Sequence, residues 1–460
     1  MKTLGRVKTH LPGLDTLLGG GLLEAGVYFL QGAPGTGKTT LANQLCFAHI
    51  AAGGNALYLT LLAESHARMM QHMLGQSFFD ASLVGSRIGY VSGYRALVGG
   101  DLKAIVGLVR TELTRQRATM LVLDGLVLPP GAEDDAGTKL KEFVHEMQSL
   151  ATLIGCNVLL LTSGQGRSIA AEQTMVDGIF VLEDHAFGMR NERLIQITKF
   201  RGAAPVRGKH SFCITGDGLH IFPRLESVQQ MAPRPDDARG VTGTGVAALD
   251  AMFGSGGLRR GSTTLVKGPA GVGKTLLALR FLAEGGAEER GVMLGFNEDM
   301  DDLGELAAGV GIDLQRVLAA GALKFCGLVA ERHALDQLGH LLLQSVDRLG
   351  ARRVVIDSIG GLAATVMFPE RGSRFVGALC AELRQRGVAT LIVCDQDELA
   401  ALGAPSALGG LDAVAEQTLR LSVVGGRRQL RIEKARGQGF DPAPRSFEIS
   451  ALGLRLDPAD

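Results

Sequence analysis

Two stretches of the chain set a lysine, a hydroxyl and three glycines at one fixed spacing. The first is Gly32-Ala33-Pro34-Gly35-Thr36-Gly37-Lys38-Thr39. The second, 236 positions later, is Gly268-Pro269-Ala270-Gly271-Val272-Gly273-Lys274-Thr275. Both fit G-x-x-x-x-G-K-[ST] without a mismatch. The chemistry this pattern serves is the holding of a triphosphate. Gly32, Gly35, Gly37 and their counterparts Gly268, Gly271, Gly273 let backbone N–H groups converge on one cavity, and the helix that follows adds its positive N-terminal end. Lys38 and Lys274 are expected to reach the β and γ phosphates, and Thr39 and Thr275 to ligate Mg²⁺. A glycine-rich turn with an incidental lysine would explain one such match. Two in register, each between an apolar strand and a helix, argue against it.

Further groups fall at matching places after each loop. Asp124 closes the apolar run Met120–Asp124 and Asp357 closes Arg353–Asp357. A carboxylate at such a strand end can hold Mg²⁺ directly or through water, although a cap or turn residue would look the same. Glu64 and Glu298 each follow the second strand of their half and are candidates to orient or deprotonate an attacking water. The plainer alternative is a solvated glutamate beside a helix capped by Ser65 or Asp299. Late in each half comes Lys-x-Arg-Gly, with Lys199 and Arg201 in the first and Lys434 and Arg436 in the second. Far from their own loops, these four could complete a neighbouring subunit's nucleotide site, or simply form a solvated basic edge that discourages strand pairing. Ser163 and Gln165, after a core strand, are equally suited to sensing a γ-phosphate and to capping a loop. His66 and His72 are six apart, on different faces of a helix, which reads as a surface role and not a metal pair.

These groups must be positioned by a repeated scaffold. Leu14-Asp15 and Leu249-Asp250, the loops, the strand-end aspartates and the Lys-x-Arg-Gly segments recur in the same order at nearly one offset, the mark of tandem homologous domains. Within each half, short apolar runs such as Val27–Leu30 and Val158–Thr162 alternate with helical stretches, which implies a mostly parallel sheet flanked by helices. Mixed runs near Leu194–Thr198 and Leu430–Ile432 read as antiparallel edge strands. The Pro-rich stretch around Met231–Asp237 reads as a linker. The expected division is residues 1–225, a linker at 226–240, and residues 241–460.

Composition excludes several classes. The 460 residues carry 46% apolar and 20% charged side chains, which suits a globular protein. Basic and acidic residues balance at 47 each, Trp is absent and Tyr numbers only 4, which disfavours a dedicated nucleic-acid surface. The 6 cysteines are scattered without a C-x-x-C, so buried free thiols are expected. No apolar run spans a membrane and the N-terminus lacks a signal-peptide core, so a cytoplasmic location is expected.

The chain resembles the KaiC-like branch of the RecA superfamily over nearly its whole length. The resemblance is carried by Gly13-Leu14-Asp15 running to Gly19-Gly20-Gly21-Leu22, by the glutamate after the second strand, and by Lys199-Phe200-Arg201-Gly202 running on to Phe212–Pro223. It implies an α/β fold of two tandem RecA-like P-loop NTPase domains. It also implies ATP with Mg²⁺ held between adjacent subunits, usually of a hexamer, and hydrolysis of the ATP. Where the clock protein of the family has paired glutamates, this chain has Ala63-Glu64 and Asn297-Glu298. The clock protein's phosphorylated Ser and Thr align near Asp412 and Ala413, neither of which carries a hydroxyl, so no autokinase cycle is expected. A slowly hydrolysing regulatory ring ATPase with an unknown protein partner is the leading expectation. An ATP-dependent oligomeric scaffold with little turnover is the alternative, and a DNA-dependent ATPase of RecA type is a further one.

Overall fold

The computed structural model describes residues 5–61, 66–98, 102–126, 135–163, 175–228, 240–296, 298–395, 410–451 and 453–457. The chain divides into two compact units, Met1–Pro223 and Arg224–Asp460. Each contains one nine-stranded sheet.

The strands of the first sheet are β1 (Val27–Gly32), β2 (Ala56–Thr60), β3 (Ile88–Ser92), β4 (Met120–Asp124), β5 (Asn157–Thr162), β6 (Gly178–Phe187), β7 (Arg190–Phe200), β8 (Lys209–Thr215) and β9 (Gly218–Phe222). Those of the second are β10 (Thr263–Gly268), β11 (Gly291–Phe296), β12 (Leu323–Leu328), β13 (Arg353–Asp357), β14 (Ala389–Asp395), β15 (Gln417–Val424), β16 (Arg427–Ala435), β17 (Arg445–Ser450) and β18 (Gly453–Leu456). The spatial order is β9-β8-β7-β6-β1-β5-β4-β2-β3 in one, and the same order with nine added to each number in the other. The duplication seen in the sequence is thus a duplication of topology.

In both sheets six strands run parallel and the last three return as an antiparallel meander. The mixed runs around Leu194 and Leu430 fall in β7 and β16, within those meanders. Alternation sets the two faces of each parallel strand. In β1, Tyr28 and Leu30 pack with Leu41 and Leu45 of helix α1 (Lys38–Ala51). Val27 and Phe29 pack with Ile105, Val109, Phe143 and Met147 on the other side. β10 does the same, with Val266 toward Leu277 and Phe281 of helix α2 (Lys274–Gly285) and Leu265 toward Leu338 and Leu379. Strands covered on both faces must be apolar throughout, which is why the central runs read as unbroken hydrophobic stretches. Each buried Leu or Phe contributes about 1.5–3 kcal/mol.

The repeated entry segment has a structural purpose. Asp15 accepts from the Thr9 N–H at 2.8 Å, and Asp250 accepts from the Thr244 N–H at 2.9 Å. The same turn thereby precedes each loop. Later in each unit, Asp177 accepts from the Val27 N–H at 2.9 Å and Glu416 from the Thr263 N–H at 2.8 Å. These carboxylates fasten the first residue of the loop-bearing strand.

At the junction, Leu225–Val228 form a short helix on the second unit, where the Arg371 guanidinium bridges Glu226 and the fully buried Asp336. The Pro-rich stretch 231–237 lies outside the described residues. The cysteines are free thiols, five of them buried and Cys213 half-buried. No helix among the described residues is long and apolar enough to cross a membrane.

Candidate nucleotide sites

In each unit the loop leaves the C-terminal end of a central parallel strand and enters a helix, the place where open α/β sheets bind ligands. Gly37 and Gly273 sit at the helix N-terminus with φ of 101° and 107°, a region only glycine occupies without strain. A Cβ on Gly37 would lie 2.7 Å from Ile214, and one on Gly273 2.5 Å from Ile449. The first-turn N–H groups that these turns release have no helical acceptor, and they face the cradle. Lys38 folds its ammonium onto the carbonyls of Gly32 at 2.6 Å and Ala33 at 2.9 Å. Lys274 does the same with Gly268 at 2.9 Å and Pro269 at 2.7 Å. Burial pushes the Lys38 amine below its ordinary range, partly offset by the charge of Asp124.

Strand register brings the remaining polar groups to the same edge. Thr60 lies opposite Asp124, and Asp124 opposite Leu161, so β2, β4 and β5 end level with the loop. The Thr39 hydroxyl donates to Asp124 Oδ2 at 3.2 Å. A hydroxyl and a carboxylate oxygen converging here form a hard oxygen donor pair of the kind that suits Mg²⁺, an ion usually held by one or two protein oxygens plus phosphate. No group of three or more His, Cys, Asp or Glu able to hold a metal occurs among the described residues. In the second unit Asp357 ends β13 opposite Gly295 and is 8% exposed, and Thr275 is the second residue of α2.

A tyrosine that sequence reasoning passed over completes the first site. Tyr58, inside β2, donates to the same Asp124 Oδ2 at 2.7 Å. Burial and the Asp124 charge drive its hydroxyl well above the usual range, so it stays a donor. Its ring lies 5.5 Å from that of Tyr90, whose hydroxyl donates to Asn43, and the Asn43 amide donates to the Thr39 carbonyl. The register places Met293 where the first unit has Tyr58. His66, read from sequence as a surface residue, is half-buried instead. Its Nε2 shares a hydrogen bond with Thr60 Oγ1 at 2.8 Å, and its ring packs beside Tyr90. Tyr58→Phe removes the donor that orients Asp124. The expected result is about a tenfold rise in the Mg²⁺ concentration required at the first site, the lower range for losing an orienting partner, read by titrating Mg²⁺ in a nucleotide-binding assay.

The other sequence-derived groups divide clearly. Glu298 is exposed, and partial desolvation followed by the charges of Asp357 and Asp302 raises its carboxyl above the ordinary range. Asp299 beside it caps the next helix, accepting from the Asp301 and Asp302 N–H groups. Glu64, Ser65 and Gln165 lie outside the described residues. Lys199 pairs with Ile179 and Lys434 with Thr418 across their strands, so each stands three strand positions before the start of its own loop, toward the opposite edge. Arg201 lies 3.8 Å from Asp177. Lys434 donates to the Asp412 and Ala415 carbonyls, and Arg436 to that of Ala413. The Asp412 carboxylate is paired with Lys267 at 2.5 Å.

The family model for the KaiC ATPase matches the chain twice, over residues 7–226 and 242–460. The chain belongs to the KaiC family of ATPases. The family model thus falls once on each half, and the two halves share one sheet order. Among relatives, the circadian clock oscillator protein KaiC of Picosynechococcus sp. is 26% identical over 473 aligned positions, covering 99% of this chain and 90% of that protein. KaiC of Rippkaea orientalis is 25% identical, covering 97% and 88%. KaiC of Synechococcus elongatus is 24% identical, covering 98% and 89%. The likeness thus runs through both KaiC domains and includes the interval between them.

Proposed function

We propose that the protein is a Mg²⁺-dependent ATPase that assembles into a ring, hydrolyses ATP slowly and serves a regulatory role. One observation carries this reading. In the first half the Thr39 hydroxyl meets Asp124 beside the loop, strand register gives Asp357 the matching position in the second, and Lys199 and Lys434 stand three strand positions back from their own loops. A pair placed away from its own loop acts most directly on a neighbour's nucleotide, which makes assembly part of the site. The hexamer is taken from the family resemblance, and the placement supports completion of each site by a neighbour.

In this reading Lys38 and Lys274 neutralise the β and γ phosphates. Thr39 with Asp124, and Thr275 with Asp357, hold the Mg²⁺, which supplies charge neutralisation on the phosphate oxygens when bound. Glu64 and Glu298 orient the attacking water and accept its proton. The water oxygen bonds to the γ-phosphorus as the bond from that phosphorus to the β–γ bridging oxygen breaks. Lys199 and Arg201, and Lys434 and Arg436, stabilise the charge that develops in the adjacent subunit's site. Lys434 and Arg436 must then leave the carbonyls of 412–415, which couples the second site to that segment.

Glu64→Gln and Glu298→Gln test the reading. Each is expected to lower phosphate release from its own site by at least a hundredfold while the mass of the Mg-ATP assembly in solution stays unchanged. The acid limb of activity gives an independent check. A base must be ionised, and Glu298 is raised, so second-site turnover falls with decreasing pH already above the ordinary glutamate value of about 4.3. Wild type and both variants releasing phosphate equally slowly, with assembly intact, would establish the scaffold reading instead.

A further inference from the structure

The two lysines differ in one neighbour. β14 ends at Asp395, which lies opposite Gly268 in the register. In the first unit Gln31 lies opposite Thr162, so Ser163, the next residue, holds the place of Asp395. Asp395 Oδ2 is 3.2 Å from the Lys274 ammonium. Both residues are buried, with Lys274 6% and Asp395 9% exposed. Lys38 and Lys274 share the same two loop carbonyls as acceptors. The carboxylate is what the second lysine has in addition.

We propose that Asp395 makes the second loop selective for nucleoside diphosphate over triphosphate, whereas the first loop, with Ser163, lacks this discrimination. The inference rests on reading both loops as ATP sites. A loop lysine serves the β and γ phosphates. At the first site the carboxylate acting on the ammonium is Asp124, which makes no hydrogen bond to it. At the second, a fixed negative charge already neutralises the ammonium and lies beside the place where the γ-phosphate would add its own. Like charges a few ångströms apart in a buried setting interact far more strongly than in water. The diphosphate lacks the γ group and escapes most of that repulsion. After hydrolysis the second site therefore retains its product and relinquishes it slowly, a direct source of slow turnover in a protein with two otherwise matching loops.

The test uses the full chain with Lys38→Ala, so that binding reports the second loop. Dissociation constants for ADP and for the non-hydrolysable triphosphate AMP-PNP are measured with Mg²⁺, with and without Asp395→Ser. Asp395→Ser is expected to tighten AMP-PNP at least tenfold and to leave ADP within threefold. The reciprocal pair, Lys274→Ala with and without Ser163→Asp, is expected to show AMP-PNP weakened at least tenfold at the first loop. It guards against a folding defect in one variant. ADP and AMP-PNP moving together, or not moving, in both pairs overturns the selectivity while leaving the loops as nucleotide sites. Failure of the Lys38→Ala protein to bind either nucleotide overturns the binding reading of the second loop and this inference with it.

Discussion

Replacing Lys38 and Lys274 together by alanine is expected to abolish nucleotide binding, with affinity for Mg-ATP falling at least a hundredfold at each loop. Each ammonium is held at the centre of its loop by two carbonyls that belong to the loop itself. Its removal leaves the cradle with backbone dipoles alone against several phosphate charges, and charge-assisted contacts are roughly twice as strong as neutral ones. The single substitutions separate the sites. Lys38→Ala should remove one binding event per chain and Lys274→Ala the other, read as stoichiometry by calorimetry. Retention of two events in either single variant would contradict the assignment. Lys38→Ala should leave the fold intact, because among the described residues Lys38 bonds only to its own turn, whereas Lys274→Ala also strips the buried Asp395 of its ammonium and should lower the stability of the second unit.

Arg371→Ala is expected to destabilise the second unit by about 3–5 kcal/mol, the usual cost of removing one partner of a buried ion pair. The guanidinium makes a two-armed contact with Asp336, at 2.7 and 3.1 Å, and reaches Glu226 at 2.7 Å. Its loss strips a fully buried carboxylate of its guanidinium and releases the Leu225–Val228 helix. A pH dependence follows. Burial raises the Glu226 carboxyl, but the Arg371 guanidinium more than offsets it, so the net position is below the ordinary range. A carboxyl lowered in the folded state adds stability that is present above its unfolded value of about 4.3 and is lost as the pH falls through the folded value. Urea unfolding of wild type should therefore show this part of the second unit's stability lost in acid, and Arg371→Ala should lack that component. Equal unfolding midpoints for the two proteins at neutral pH would contradict the bridge.

The fold was legible in the sequence wherever the signal was local. The loops, the apolar strands ending in Asp124 and Asp357, and the mixed edge strands each show within a few residues, and duplication let each half vouch for the other. What escaped was set by register between distant segments. Tyr58 meets Asp124 across 66 positions and Lys274 meets Asp395 across 121. Neither partnership leaves a spacing to read. Tyr58 had a weak flag, as one of only 4 tyrosines placed inside an otherwise apolar strand. His66 was misread because helical spacing shows which face a residue takes but not that a strand-end hydroxyl, Thr60, waits beside it. The contacts of Lys434 and Arg436 with residues 412–415 were likewise invisible, since a backbone carbonyl has no sequence signature. The correspondence of Asp395 with Ser163 emerged only when the two sheets could be compared strand by strand.

The initial rate of phosphate release from Mg-ATP, compared between the wild-type chain and the Lys38→Ala/Lys274→Ala double variant, tests the central claim most directly. The account predicts slow but measurable release by wild type and none above background by the double variant. Equal rates from the two proteins would contradict it.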